Sequence, residues 1–360
     1  MSTLAGLLFS QPPPSFYEWE RTIVHLNLSR TASKFLWNGL SEDTRSVYDS
    51  ARRSYEYYCS YHNIKPWPAQ EHTLAEWASA RAEGNSQIRY QGKVKAKTIF
   101  AMMSALRSVH VDRRLSLKPF ESEWLKRILA GISRCQPDDN TKKAEPMSLS
   151  TLEKVIDTGD KTVDELKFNA ACKIAFAGFL RSGEFTYSAT DFKDTNTFTN
   201  TKLTRSDIRF SDDNKYAILR LKRSKTDTMH QGVEIILAAS NNICCPVTAL
   251  KTLLTRDPQP LSAPLFRLSG APFDYNGFVK ILRKRLREIG EPKAGLFSGH
   301  SFRRGASQHA SDNGMLDYDI QRLGRWSSDA FKLYFNESYA NRYNLNKRFL
   351  TGSAPAISSL

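Results

Sequence analysis

Ser298-Gly299-His300-Ser301-Phe302-Arg303-Arg304-Gly305-Ala306 is the stretch on which the reading of this chain turns. The residues that follow predict a helix over 301–313, which puts His300 and Arg303, three apart at a helix start, on one face where both reach a single anion. Arg304 points elsewhere, toward a DNA backbone or solvent. Taken alone, the motif also fits a histidine capping a helix beside a surface arginine, so its meaning depends on what lies around it.

Downstream, Leu323-Gly324-Arg325-Trp326 leads to Tyr334, eight residues beyond the tryptophan. Upstream, the apolar segment Ala171 to Leu180 closes a helix predicted over 163–180 and delivers Arg181-Ser182-Gly183-Glu184 at its end. Between the two, strand-forming residues at 216–222 and 233–237 flank the polar turn Arg223-Ser224-Lys225-Thr226-Asp227. This pattern predicts a hairpin with Lys225 near its tip and Lys222 as the competing lysine. Each piece has an ordinary explanation by itself: a terminal ion pair, a solvated lysine, a half-buried tyrosine such as Tyr339 or Tyr343. Together they supply what cleavage of a DNA backbone without a metal requires. A nucleophile must attack phosphorus, cations must hold the phosphate oxygens, and an acid must protonate the departing 5′ hydroxyl. Arginine suits the second task because its charged guanidinium forks onto two oxygens. A phenol with a pKa of about 10 becomes a useful nucleophile only where nearby cations favour the phenolate.

The composition points to the same partner. The chain has 360 residues, 52 Lys+Arg against 37 Asp+Glu and a net charge of +15, which favours a polyanion. No apolar run of membrane-spanning length is present, and the N-terminal stretch from Leu4 to Phe9 runs into Pro12, Pro13 and Pro14, so neither secretion nor a membrane span is expected. The five cysteines lack zinc-finger spacing, and Cys244 and Cys245, before Pro246, read as structural in a reducing compartment. No metal site is expected.

The order of elements gives two domains. Residues 1–20 and 351–360 read as disordered ends. Residues 21–135 read as a helical DNA-binding domain carrying Arg89, Lys93, Lys95, Lys97 and Arg107, with Arg113 and Arg114 further on. The polar segment 136–147 reads as a linker. Residues 148–350 form the second domain, opened by the capping pattern Ser150-x-x-Glu153. It has a short strand near Ile208 and helices over 246–255, 275–289 and 301–313. The basic helix bearing Lys280, Arg283, Lys284, Arg285 and Arg287 is expected to lie along a duplex. The fold class is mainly α with a small antiparallel β-sheet. No internal repeat is found.

The four motifs, in this order, resemble the tyrosine recombinase (phage integrase) family: R-x-x-E, a hairpin lysine, H-x-x-R, a glycine followed by His or Trp, and Tyr. SGHSFRRGAS is Cre-like, RSKTD is similar to the lysine motif of phage lambda integrase, and GRWSSDAFKLY is similar to Crypton-type eukaryotic mobile elements. The resemblance covers the second domain motif by motif and matches the helical half to the family's core-binding, SAM-like domain only in general character. It implies that Arg181 and Arg303 bind the scissile phosphate, Lys225 is the general acid, His300 assists, and Tyr334 forms a 3′-phosphotyrosyl link, with Glu184 orienting Arg181. At the His or Trp position this chain has Arg325, with Trp326 next; Trp326, packed on the nucleophile helix, is preferred for the role and Arg325 is the alternative. The resemblance further implies a site-specific recombinase or integrase of a mobile element, working on double-stranded DNA in the nucleus. Four protomers would assemble through a C-terminal helix over 337–349, without ATP, metal or other cofactor. The alternatives are a transposon-derived DNA-binding protein that no longer cuts and a type IB topoisomerase.

Overall fold

The computed structural model describes residues 14–84, 92–136, 144–157, 159, 161–224, 227, 231–269, 273–334 and 350. The chain divides into two compact units, Met1–Thr141 and Lys142–Leu360.

The first unit is helical. Its long segments are Glu42–Tyr61, Glu71–Glu83, Ala96–Asp112 and Glu123–Cys135, packed around Tyr55, Leu74, Trp77, Ile99, Leu106 and Leu125. Serines cap two of these helices: Ser41 accepts from the Thr44 N–H and Ser122 from the Leu125 N–H. The expectation of disorder through residue 20 fails for residues 14–20. Pro14–Thr22 is a helix, Phe16 is fully buried, and its ring lies 5.7 Å from those of Trp19 and Trp37. The segment is too short to show periodicity, and its order comes from this aromatic cluster and from the Trp19 indole N–H donated to Asp112 at 2.8 Å.

In the second unit the helix Val163–Ala177 runs through the core, burying Phe168, Ala171, Cys172, Ile174 and Ala175, and packs on the helices Pro246–Arg256 and His300–Asp312. Three antiparallel strands lie in the order of the chain: β1 (Ile208–Phe210), β2 (Tyr216–Leu221) and β3 (Val233–Ala238). Alternation sets their register: Ala217 opposes Leu237 and Leu219 opposes Ile235, all four buried, with β2 and β3 packed on Pro246–Arg256.

Two boundaries differ from the sequence reading. The helix Leu149–Ile156 is capped by Ser148, which accepts from the Thr151 N–H at 3.0 Å, and not by Ser150. Met147, fully buried, donates its N–H to the Ser301 carbonyl at 2.9 Å, and this tertiary anchor fixes the helix entry two residues earlier than the local capping signal. The helix expected to reach Leu180 stops at Ala177, because Phe179 takes a left-handed conformation at φ +49°. Cys245 caps Pro246–Arg256, and both it and Cys244 are buried free thiols. Burial opposes ionisation of Cys245, but the N–H groups of Ser240 and Thr248 bring its pKa down to about 7. Among the described residues no helix is long and apolar enough to cross a membrane.

Candidate active site

Two helix ends create the site. A helix leaves its last carbonyls without intrahelical partners and carries partial negative charge there, so arginine side chains are favoured near it. Val163–Ala177 ends at Gly178 and the left-handed Phe179, and Asp317–Gly324 ends at Arg325, itself left-handed at φ +56°. The orphan carbonyls are taken by the arginines of the motifs. Arg303 Nη1 donates to the Phe179 carbonyl at 2.6 Å and its Nη2 to the Gly324 carbonyl, while Arg325 Nη1 donates to the Gly178 carbonyl at 2.9 Å. A left-handed non-glycine residue costs about 1–2 kcal/mol, so these two turns are conformations the surrounding contacts enforce.

Glu184 ties the cluster together. Its carboxylate, 6% exposed, accepts the Arg181 backbone N–H at 2.8 Å, Arg181 Nη1 at 3.0 Å and Arg325 Nη2 at 2.8 Å. Arg181 Nη1 also donates to Ser224 Oγ at 3.2 Å, which links the first motif to the hairpin. The third motif is brought up by Gly299: a Cβ there would lie 2.5 Å from the Ser182 Cβ and 3.1 Å from the Tyr275 ring, so only glycine lets His300 follow so close to Arg181-Ser182. Desolvation by the surrounding chain, then the charges of Arg303, Arg304 and Arg181, hold the His300 imidazolium below the ordinary histidine range. Burial lowers the pKa of the Arg325 guanidinium, Glu184 opposes this, and Arg181 adds to it. The result is a concentration of positive charge with one carboxylate inside it.

Trp326 and Arg325 occupy different surroundings. Arg325 turns inward onto Glu184, and the Trp326 ring lies over the Arg303 guanidinium at 4.0 Å and 5.8 Å from the Phe331 ring on the 3-10 helix Asp329–Tyr334. A Cβ on Gly324 would fall 1.4 Å from a Trp326 ring carbon, so the Gly-Arg-Trp sequence is a packing requirement. Arg303 itself is only 1% exposed, a burial that the motif did not announce.

Other expected site residues fall into three groups. Lys280, Lys284 and Arg287 are exposed at helical spacing along Tyr275–Glu288, and Lys93, Lys95, Lys97 and Arg107 are exposed in the first unit. Three arginines expected on DNA are internal. Arg304 is 5% exposed and donates to the Ala144 carbonyl at 2.9 Å. Arg285 is 7% exposed, 2.5 Å from Asn169 Oδ1 and 4.6 Å over the Phe168 ring. Half-buried Arg283 gives its Nε–H to the Phe297 carbonyl at 2.8 Å. In each case the charge meets a carbonyl or amide oxygen that local sequence does not reveal. Lys222, the competing lysine, pairs with Asp207 at 2.7 Å and donates to Thr204 Oγ1 at 3.0 Å. Lys225, Arg89, the segment 337–349 and the Tyr334 side chain lie outside the described residues, although the backbone of Tyr334 closes the 3-10 helix.

No family model matches the sequence, nor does any curated protein. Solved structures do. The site-specific recombinase XerH in a post-cleavage complex with a palindromic difH substrate aligns at TM-score 0.52 and 14% identity, over 82% of this chain and 76% of that one. The Tn1549 transposon integrase with circular intermediate DNA gives 0.49 and 17% over 78% and 85%, and a lambda integrase dimer on a core site gives 0.46 and 14% over 93% and 83%. The mainly helical architecture with its three-stranded antiparallel sheet is a fold shared with that XerH recombinase.

Proposed function

We propose that this protein breaks and rejoins DNA through a tyrosine nucleophile, as a site-specific recombinase or integrase. The observation that carries the reading is the meeting of Arg181 and Arg325 on Glu184, with His300 within the field of Arg303 and Arg181, in a fold shared with a recombinase solved on its DNA. In this reading the Tyr334 oxygen attacks phosphorus and forms a 3′-phosphotyrosyl ester. The 5′ oxygen leaves with a proton from Lys225, and the reverse attack by a 5′ hydroxyl restores the backbone and frees the tyrosine. Arg181, with Arg303, neutralises the phosphate oxygens, and Glu184 and Arg325 hold Arg181 in place. Arg325 thus supports the arginine pair while Trp326 packs between Arg303 and the nucleophile helix. The exposed Lys280, Lys284 and Arg287 track the duplex. We further read the enzyme as serving integration or excision of a Crypton-type mobile element in the nucleus, as a tetramer on DNA exchanging the segment 337–349; this extension rests on the sequence resemblance.

A second reading, a chain that binds DNA without cutting it, draws on the burial of Arg303: its guanidinium bonds two carbonyls beneath Trp326. One experiment separates the two. The full chain is incubated with nicked suicide duplexes carrying the ends of its own genomic element, denatured, and any adduct is mapped by mass spectrometry. An adduct on Tyr334 that is absent in Tyr334→Phe, with DNA binding retained, supports the enzyme. Salt-sensitive binding with no adduct supports the second reading, and an adduct persisting in Tyr334→Phe removes the nucleophile assignment.

A further inference from the structure

The second unit contains a cavity of about 670 Å³ that shares no lining residue with the basic cluster. Its floor is charged and internal: Lys167, Arg205 and Asp257 are 6%, 4% and 8% exposed. Asp257 Oδ2 lies 3.3 Å from Lys167 Nζ and 2.5 Å from Arg205 Nη2, and Arg205 Nη1 donates to the Asp257 carbonyl at 2.7 Å. Two buried cations therefore share one carboxylate.

Two of the neighbouring carboxylates are matched by other cations. Asp207 is paired with Lys222 at 2.7 Å, Asp191 with Lys202 at 3.0 Å, and Asp164 accepts the Ser269 N–H at 2.9 Å. Arg205 Nε, fully buried, has no hydrogen-bond partner among the described residues. Arg267 adds a further positive charge at the rim, exposed and 5.9 Å from the Phe192 ring. A buried charge in excess of its partners is unfavourable, and an entering anion relieves it.

The rest of the wall is aromatic. Tyr187, Phe266 and Phe273 are buried, Phe192 is 42% exposed, and the Tyr187 hydroxyl is already bonded to the Leu203 carbonyl at 2.8 Å, so tyrosine offers its ring. A concave site with aromatic side chains and a few convergent charges, in this size range, is a common form of small-molecule pocket. The triad ties Val163–Ala177 to the loop after Pro246–Arg256, and Phe192 and Arg267 leave the rim of the site open to solvent.

We propose that this cavity binds a small organic anion carrying a flat ring, its charged group held by Lys167 and Arg205 and its ring seated among Phe192, Phe266 and Phe273. The test titrates the full chain calorimetrically with benzoate, phenyl phosphate, neutral benzamide and inorganic phosphate. Because Lys167 is internal and its replacement can prevent folding, the diagnostic variant is Ala189→Trp, an exposed lining position where the indole fills the mouth. Saturable binding of benzoate or phenyl phosphate at one site per chain is expected. Benzamide should bind at least about tenfold more weakly than benzoate, and Ala189→Trp should weaken binding by a similar factor at unchanged melting temperature. Equal affinity for benzamide and benzoate, equal affinity for inorganic and phenyl phosphate, no effect of Ala189→Trp, or no saturable binding up to millimolar concentrations would each overturn the proposal.

Discussion

Replacing Glu184 by glutamine keeps the shape of the side chain and removes only its charge. Two of the three bonds fall on Oε2, from the Arg181 N–H and Arg325 Nη2, and the third is 3.0 Å from Oε1 to Arg181 Nη1. The amide oxygen therefore takes the Oε2 place, and the new NH2 group faces an arginine NH2 group, donor against donor. Arg325, 11% exposed beside a 6% exposed partner, loses its counter-charge in a cluster that already holds Arg181, Arg303 and His300. Breaking a buried pair from one side costs about 3–5 kcal/mol. In a domain of roughly 200 residues each kcal/mol moves the melting temperature by about 2–4 °C, so a fall on the order of 10 °C is expected. Calorimetry and urea melts of Glu184→Gln, Arg325→Met and the double variant measure it. The double variant should be less destabilised than the sum of the singles, by about 1.5 kcal/mol or more. Additive effects, or a Glu184→Gln protein within about 0.5 kcal/mol of wild type, would refute the assignment of Glu184 as the electrostatic centre of the site.

Other consequences are open to direct measurement. Gly324→Ala must displace the Trp326 ring, so urea melts should show a loss of about 1–3 kcal/mol, and an unchanged midpoint would contradict the packing described. Neighbouring basic residues should behave oppositely. Lys280→Gln, Lys284→Gln and Arg287→Gln combined should leave stability nearly unchanged and reduce the salt dependence of DNA binding by up to about 0.9 per lost phosphate contact, whereas Arg285→Gln should destabilise by about 2–4 kcal/mol. The pKa of His300 is depressed in the folded chain, so the unfolded chain binds its proton more readily. Stability should therefore fall as pH drops from about 6.5 through the folded value, and His300→Gln should flatten that part of the profile. Denaturant melts between pH 5 and 7 check the sign, about the range where histidine titrates.

The architecture was legible where one local rule governed. The strand pair announced itself because Ala217, Leu219 and Leu221 alternate with outward residues, and the helices around Val163, Pro246 and Tyr275 because caps and apolar spacing agree. It was illegible where a distant partner outranked the local signal. Ser150 with Glu153 is a better capping pattern than Ser148 with Thr151, yet the bond from Met147 to Ser301, far along the chain, decides where the helix begins. Residues 14–22 are too short a segment for a period to decide, and their order comes from Trp37 and Asp112.

The site divides along the same line. Which residue types gather was readable from the motifs, because short sequence patterns record the arginines, the histidine and the carboxylate that meet there. How each is used was not. Arg285 and Lys284 are adjacent; Arg285 shares the buried face of its helix with Phe278 and Leu282 and meets Asn169, 116 residues away, while Lys284 stays in solvent. Arg325 could be assigned to Glu184 only once its left-handed turn was known, since a right-handed residue there would continue the helix and carry the guanidinium away from the Gly178 carbonyl. The same turn leaves the Gly324 carbonyl facing Arg303 and places Trp326 over its guanidinium. One backbone conformation at Arg325 thus sets the surroundings of both motif arginines, Arg181 through Glu184 and Arg303 through Gly324.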